Sequence, residues 1–280
     1  MELCVLQPGD TLYDITLAHR LSMGQFLSDN GSNCHKAAVG QVFLVQKGLS
    51  FHMVRQGETL DAIAGQHHLS PDRLRWLNPG VHCVFPGQKL ITEREQHENR
   101  PALVWVEHSL PVLPLLSPEE RTGRKYEKLD FRQEAQQADA VLLRTPEACR
   151  PAPLPRLRAR LEAALKLIPR EKAVLELDGL GRDRVISGHG TALLTAEEAE
   201  KLAAEQNAAI RFHPGSVLAR FRYSDGQGRE HEVQFPDLRA LEAQLKLVRE
   251  FRLHGIALPH PTPAALLLLN FHFDLEKSAL

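Results

Sequence analysis

Glu176 and Asp178 lie two residues apart at the end of a stretch, Ala173 to Leu177, that reads as a β-strand, so with the strand continued by one residue both carboxylates face one side of it. Two carboxylates so placed could hydrolyse a glycoside, one protonating the departing oxygen while the other attacks the sugar or activates water. The same spacing serves plainer ends, because acids at the C-terminal end of a strand in α/β architecture are commonly solvated or cap the next helix. The pair is a fallback, and the sequence assigns no catalytic residue ahead of it. His67, His68, His189 and His260 have no carboxylate or cysteine at ligand spacing, which favours surface roles and implies neither metal nor other cofactor. Gly179-Leu180-Gly181 and Gly188-His189-Gly190 lack the Lys-Ser/Thr of a phosphate loop and read as turns. Arg156, Arg158 and Arg160 share a helical stretch with apolar Leu157, Leu161, Ala164 and Leu165, so the arginines are expected to form a solvated face.

The elements that must position such groups belong to an ordinary globular chain, 280 residues long with 43% hydrophobic and 25% charged residues, enough for two or three domains. Its 34 basic and 35 acidic residues nearly cancel, leaving no broad positive field for nucleic acid or anionic lipid. No basic n-region precedes an apolar run at the N-terminus, and no stretch of about 18 apolar residues occurs, so neither Sec export nor a membrane span is expected. Cys4, Cys34, Cys83 and Cys149 are scattered without metal-ligand spacing and are expected to be thiols.

A repeat organises the first third. Gln7-Pro8-Gly9-Asp10-Thr11-Leu12 returns as Arg55-Gln56-Gly57-Glu58-Thr59-Leu60, and the match continues through Ile15/Ile63, His19/His67, Leu21-Ser22/Leu69-Ser70 and Asn30/Asn78. A closing run follows in each copy, Val39-Gly40-Gln41-Val42-Phe43-Leu44 and Pro86-Gly87-Gln88-Lys89-Leu90-Ile91. Each unit reads strand, turn, helix, turn, helix, loop, strand, with Ser22 and Ser70 (before Pro71) opening the second helices. The pattern resembles the LysM family, which implies binding of N-acetylglucosamine polymers such as peptidoglycan or chitin. By that resemblance the grooves are Gly9, Asp10, Thr11 and Leu12 opposite Asp29, Asn30 and Gly31, and Gly57, Glu58, Thr59 and Leu60 opposite Leu77, Asn78, Pro79 and Gly80. These residues also have turn-building roles: the glycines supply positive φ, and Thr11 caps a helix with Asp14 three residues on. The second copy keeps the fuller pattern at Asn78-Pro79, and two weak sites on one chain gain by avidity on a repetitive polymer.

The boundaries expected are 1–47 and 51–93 for the repeats, a charged linker at 94–100, and a domain over 101–280. The fold class is two α+β modules, each βααβ, followed by an α/β domain in which strands such as Leu103–Val106 and Ala140–Leu143 alternate with helices. Three segments resemble the second half of a glycoside hydrolase family 18 (β/α)8 barrel from spore-cortex enzymes: Leu165 to Lys172, Phe221 to Asp225 with Arg229 to Val233, and Leu247 to Phe251 before Gly255-Ile256. Tyr126-Glu127, Asp130-Phe131 and Ala138-Asp139 fit the approach to its sixth strand. Against that family, the Asp-x-x-Asp-x-Asp-x-Glu acid motif is missing, Leu143-Arg144-Thr145 replaces Met-x-Tyr, and Leu258-Pro259-His260-Pro261 lacks the expected Trp. The resemblance therefore implies a non-catalytic wall-binding protein of spore or envelope. Its rivals are an active N-acetylglucosaminidase and a spore-coat scaffold. Family spore proteins are made without a signal peptide; away from a spore the chain would be cytoplasmic. Half a barrel would leave Val141, Leu143, Val174, Leu175 and Ile256 as an open apolar face, predicting self-association or a protein partner.

Overall fold

In each repeat a threonine turns a short strand into a helix. Thr11 caps α1 (Leu12–Ala18) by accepting from Asp14 N at 3.2 Å, and Asp14 Oδ2 answers by accepting from Thr11 N at 2.8 Å. Thr59 caps α3 (Leu60–Gln66) by accepting from Ala62 N at 3.2 Å, but alanine has no side-chain acceptor to return the bond. The first repeat is completed by β1 (Glu2–Val5), α2 (Met23–Asn30) and β2 (Val42–Val45), the second by β3 (Ser50–Met53), α4 (Pro71–Leu77) and β4 (Lys89–Glu93). Ser70 caps α4 through Arg73 N at 3.0 Å, with Pro71 leading the helix. This computed structural model describes residues 2–19, 21, 23–31, 36–45, 50–78, 81, 83–93, 111–115 and 131–272. The expected linker, the Leu103–Val106 strand, Ser22 and Tyr126 to Asp130 lie outside them.

The chain forms two compact units. Residues 1–2 and 45–98 make one, around a core of Val54, Leu60, Ile63, Ala64, Leu74 and Leu90. Residues 3–44 and 99–280 make the other, so most of the first repeat is folded together with the C-terminal domain.

In that larger unit, β5 (Val112–Pro114), β6 (Val141–Arg144), β7 (Ala173–Glu176) and β13 (Gly255–Ala257) form a parallel sheet in the order β13-β7-β6-β5. Near-continuous apolar runs such as Val141-Leu142-Leu143 and Ala173-Val174-Leu175 suit strands buried on both faces. Helices α5 (Phe131–Gln137) and α6 (Leu154–Leu165) follow β5 and β6 in turn, and α8 (Leu238–Phe251) precedes β13. Asp237 caps α8 by accepting from Arg239 N and Ala240 N. Between β7 and α8 the chain builds β8 (Leu180–Val185), β9 (Thr191–Thr195), α7 (Ala196–Glu205), β10 (Arg211–His213), β11 (Leu218–Ser224) and β12 (Glu230–Phe235). These five strands form an antiparallel sheet in the order β10-β11-β12-β8-β9. The last described helix is α9 (Pro263–His272).

Three expectations are corrected here. Val141, Leu143, Val174, Leu175 and Ile256 are at most 2% exposed, so the open apolar face does not exist and the physical motive for self-association goes with it. Arg160 is buried rather than solvated, while Arg156 and Arg158 stay on the surface, the latter paired with Glu250 at 2.5 Å. Gly181 serves close packing rather than a turn: a Cβ there would lie 2.5 Å from Phe235 Cβ.

The first repeat is seated on the antiparallel sheet and α7 through the turn before β2. Ala38 shares a core with Ala199, Ala203, Ile210, Phe221 and Phe235, and Val39 O accepts from Ile210 N at 2.7 Å. Gly40, at φ +86, lies so close that a Cβ would be 1.8 Å from Ile210 O. Gln41 Nε2 donates to Glu200 at 3.0 Å, and α2 packs against α9.

Candidate functional site

The turn Gly57-Glu58-Thr59 of the second repeat is held from behind. Gly57 takes φ +85, and Glu58 Oε2 accepts from Arg55 N at 2.7 Å and meets His52 Nε2 at 2.7 Å. Its other oxygen accepts from Gln66 Nε2 at 3.3 Å, while His52 Nδ1 meets His67 Nε2 at 3.0 Å. The Arg55 backbone bond, followed by the His52 bond, pulls the Glu58 carboxyl down to about 2. His67 is thus part of a buttress rather than a plain surface histidine. Sequence reading missed His52 because the antiparallel strand carries it to Glu58 and His67 from a position with no motif around it; its counterpart in the first repeat is Cys4. No metal-holding cluster of three such residues occurs among the described residues.

Asn78 turns inward. Its Nδ2 donates to Leu74 O and Ile91 O, and its Oδ1 accepts from Ile91 N at 2.8 Å, so the side chain acts as an extra peptide unit beside β4. Asn30 repeats this geometry on Phe26 O and on both backbone groups of Leu44. Leu60, Leu77 and Asp29 are also buried, the last accepting from Gln25 Nε2 at 2.7 Å. Gly9, Asp10 and Thr11 remain exposed like Gly57 and Thr59; Leu12 is half-buried. Gly31 takes φ +92, and Pro79 and Gly80 lie outside the described residues.

The fallback carboxylates do come together, but in a closed ion cluster. Glu176, 4% exposed, receives Arg144 Nε at 2.6 Å and Arg150 Nη2 at 2.5 Å. Asp178, equally buried, accepts from Ala152 N at 2.9 Å, and its backbone N–H donates to Gln244 at 2.8 Å. Burial pushes the Asp178 carboxyl up. With guanidinium donors on both Glu176 oxygens, the pair makes a strand-end clamp between β6, β7 and the residues after them.

The LysM domain family matches residues 4–46 and 52–92. Both repeats are LysM domains. Across 171 residues the chain is 30% identical to the cortical fragment-lytic enzyme of Bacillus subtilis (strain 168), an alignment covering 55% of this chain and 39% of that protein. The Bacillus anthracis cortical fragment-lytic enzyme is 26% identical over 181 residues, 58% and 41% of the two chains. The chain thus spans less than half the length of these curated relatives. Among solved structures, the spore cortex-lytic enzyme SleL of Bacillus megaterium QM B1551 superposes with a TM-score of 0.69 at 16% identity, covering 98% of each chain. A chitinase of Chromobacterium violaceum ATCC 12472 gives 0.51 at 19%, covering 56% and 53%. At such identities the likeness is one of fold, and the four parallel strands after the LysM domains fit part of an α/β barrel.

Proposed function

We propose that the chain attaches to peptidoglycan or a chitin-type N-acetylglucosamine polymer through its second LysM domain, at the exposed turn Gly57-Glu58-Thr59, and that the barrel-like domain does not cleave glycosides by the substrate-assisted route. The buttress on Glu58 carries the first part: it fixes the shape of a solvent-facing turn without using the turn's outer surface, so binding there requires little ordering. The arginine clamp on Glu176 supports the second, since a general acid needs a proton to give and a path to the sugar oxygen. The relatives' names place them in spore cortex lysis, which favours spore or envelope as the setting.

Sedimentation of the full chain with insoluble peptidoglycan tests the binding. Thr59→Ala is expected to weaken it several-fold and Thr11→Ala to leave it nearly unchanged. Retention unaffected by Thr59→Ala would move the binding surface elsewhere. An assay for N-acetylglucosamine release from cortex fragments is expected to give none; release abolished by Glu176→Gln would establish the rival reading of an active glycosidase.

A further inference from the structure

The antiparallel sheet has two unlike faces. Ala219, Phe221, Val233 and Phe235 share a core with Ala199 and Ala203 of α7, and strand alternation sends the residues between them the other way. On that outer face Arg211 of β10 stands opposite Arg220 of β11, Arg220 opposite Gln234 of β12, and Gln234 opposite Arg182 of β8, so no carboxylate enters the row. Arg182 reaches Glu147 O at 3.1 Å, whereas Arg211 and Arg220 are exposed and make no ion pair among the described residues. In the next row Arg222 and Arg184 flank Glu232 and pair with it at 2.9 and 3.1 Å, yet their side chains remain 67% and 59% exposed. Glu230, one row further, is bonded to Ser224 opposite it. Like charges directly opposite each other on neighbouring strands repel. The chain as a whole is nearly balanced, with 34 basic and 35 acidic residues, so this face is a local positive surplus.

We propose that this arginine face binds carboxylates of peptidoglycan stem peptides, centred on Arg211, Arg220 and Arg222, and so makes the chain prefer peptidoglycan to chitin, whose repeating unit is a neutral sugar. A guanidinium presents a planar fork that matches a carboxylate with two parallel hydrogen bonds. Adjacent strands set such forks about 5 Å apart, a spacing that a short acidic peptide can follow. A folded protein partner fits less well, because a stable interface has an apolar centre and the two rows offer only the half-buried Leu193, opposite Arg182. Single-stranded nucleic acid fits less well too, since neither row carries an aromatic side chain on which a base could stack. The inference rests on wall attachment as proposed above and adds what distinguishes one N-acetylglucosamine polymer from another. Weak carboxylate contacts then gain from the polymer already being held.

The test measures sedimentation of the full chain with purified peptidoglycan and with chitin. The wild type is expected to bind peptidoglycan about five- to tenfold more tightly in about 50 mM sodium chloride, an advantage that should largely vanish in about 500 mM as the charges are screened. Arg211→Gln combined with Arg220→Gln should abolish the preference while leaving chitin binding and the thermal midpoint as they were. Thr59→Ala should weaken both polymers alike. Peptidoglycan stripped of its stem peptides by an amidase should bind the wild type no better than chitin does. Absence of the preference, or a preference that survives the double variant, high salt or peptide removal, overturns the inference. Labelled poly-glutamate, bound by the wild type and not by the double variant, reads the face directly, so failure to sediment with either polymer would sink the attachment reading alone. Binding of polyphosphate with poly-glutamate ignored would overturn the carboxylate assignment.

Discussion

At Gly40 the first LysM domain meets the C-terminal domain so closely that a Cβ would stand 1.8 Å from Ile210 O, whereas at Gly87, the matching position of the second, nothing comes within 4 Å. The turns themselves are alike. Ala38 N donates to Gln41 Oε1 at 3.1 Å, and Phe85 N donates to Gln88 Oε1 at the same distance. Ala38 is 5% exposed and Phe85 67% exposed, so one turn has become part of a core and the other faces solvent. The same module can thus have its closing turn built into a core or left exposed, because the hydrogen bonds that define it are internal and its outer surface can be committed separately.

The largest effect that would sharpen this contrast is expected from alanine at the two glycines. Gly40→Ala adds a backbone clash to left-handed strain and should cost about 3–5 kcal/mol. Gly87→Ala carries the strain alone, about 1–2 kcal/mol. Hydrogen exchange in the full chain reads each unit's local stability, and equal losses would break the comparison.

Next come the inward asparagines. Asn78→Ala and Asn30→Ala each strand a buried backbone N–H and C=O, so each should destabilise its domain by about 2–3 kcal/mol. Near-equal values are expected despite the different surroundings; a loss confined to glycan binding would instead assign these side chains to the groove.

A smaller effect distinguishes the units by pH. Glu200 is raised from an ordinary 4.5 to about 8, so the folded larger unit binds an extra proton between those values and loses stability as pH rises through the window. Discounted for relaxation around the buried carboxyl, the loss should be about 1–3 kcal/mol. Glu200→Gln should flatten the profile, and an unchanged slope in urea denaturation would refute the assignment.

Glu58 runs the other way and more weakly. Lowered from 4.5 to about 2, it stabilises the second LysM domain above pH 4.5, and that contribution disappears as the pH falls toward 2. Glu58→Gln should reduce the acid sensitivity of this unit while leaving the larger unit's acid profile as it was, as followed by NMR of the two sets of resonances.

Much of the fold was legible because its signals are local. The doubled turn, the Thr11, Ser70 and Thr195 caps and the apolar strands β6 and β7 each announce themselves within a few residues. The capping box of Thr195 with Glu198 and the turn that joins β11 to β12 are likewise set by residues close in the chain. Reading side chains by type was less secure. Asn30 and Asn78 look like groove residues in a motif but complete strand edges in space, and Glu176 and Asp178 look like an acid pair but meet arginines from β6 and the segment after it.

Sequence alone determined that there are two LysM modules and that a strand-and-helix domain follows, since hydrogen-bonded caps, turns and short-range periodicity are set by neighbouring residues. Only the tertiary structure decided that the first module joins the C-terminal core and that the Glu200 carboxyl is buried against Gln41 of that module. Those outcomes depend on desolvation and close packing between groups more than a hundred residues apart, such as Gln41 and Glu200, and no local pattern records which distant surfaces will meet.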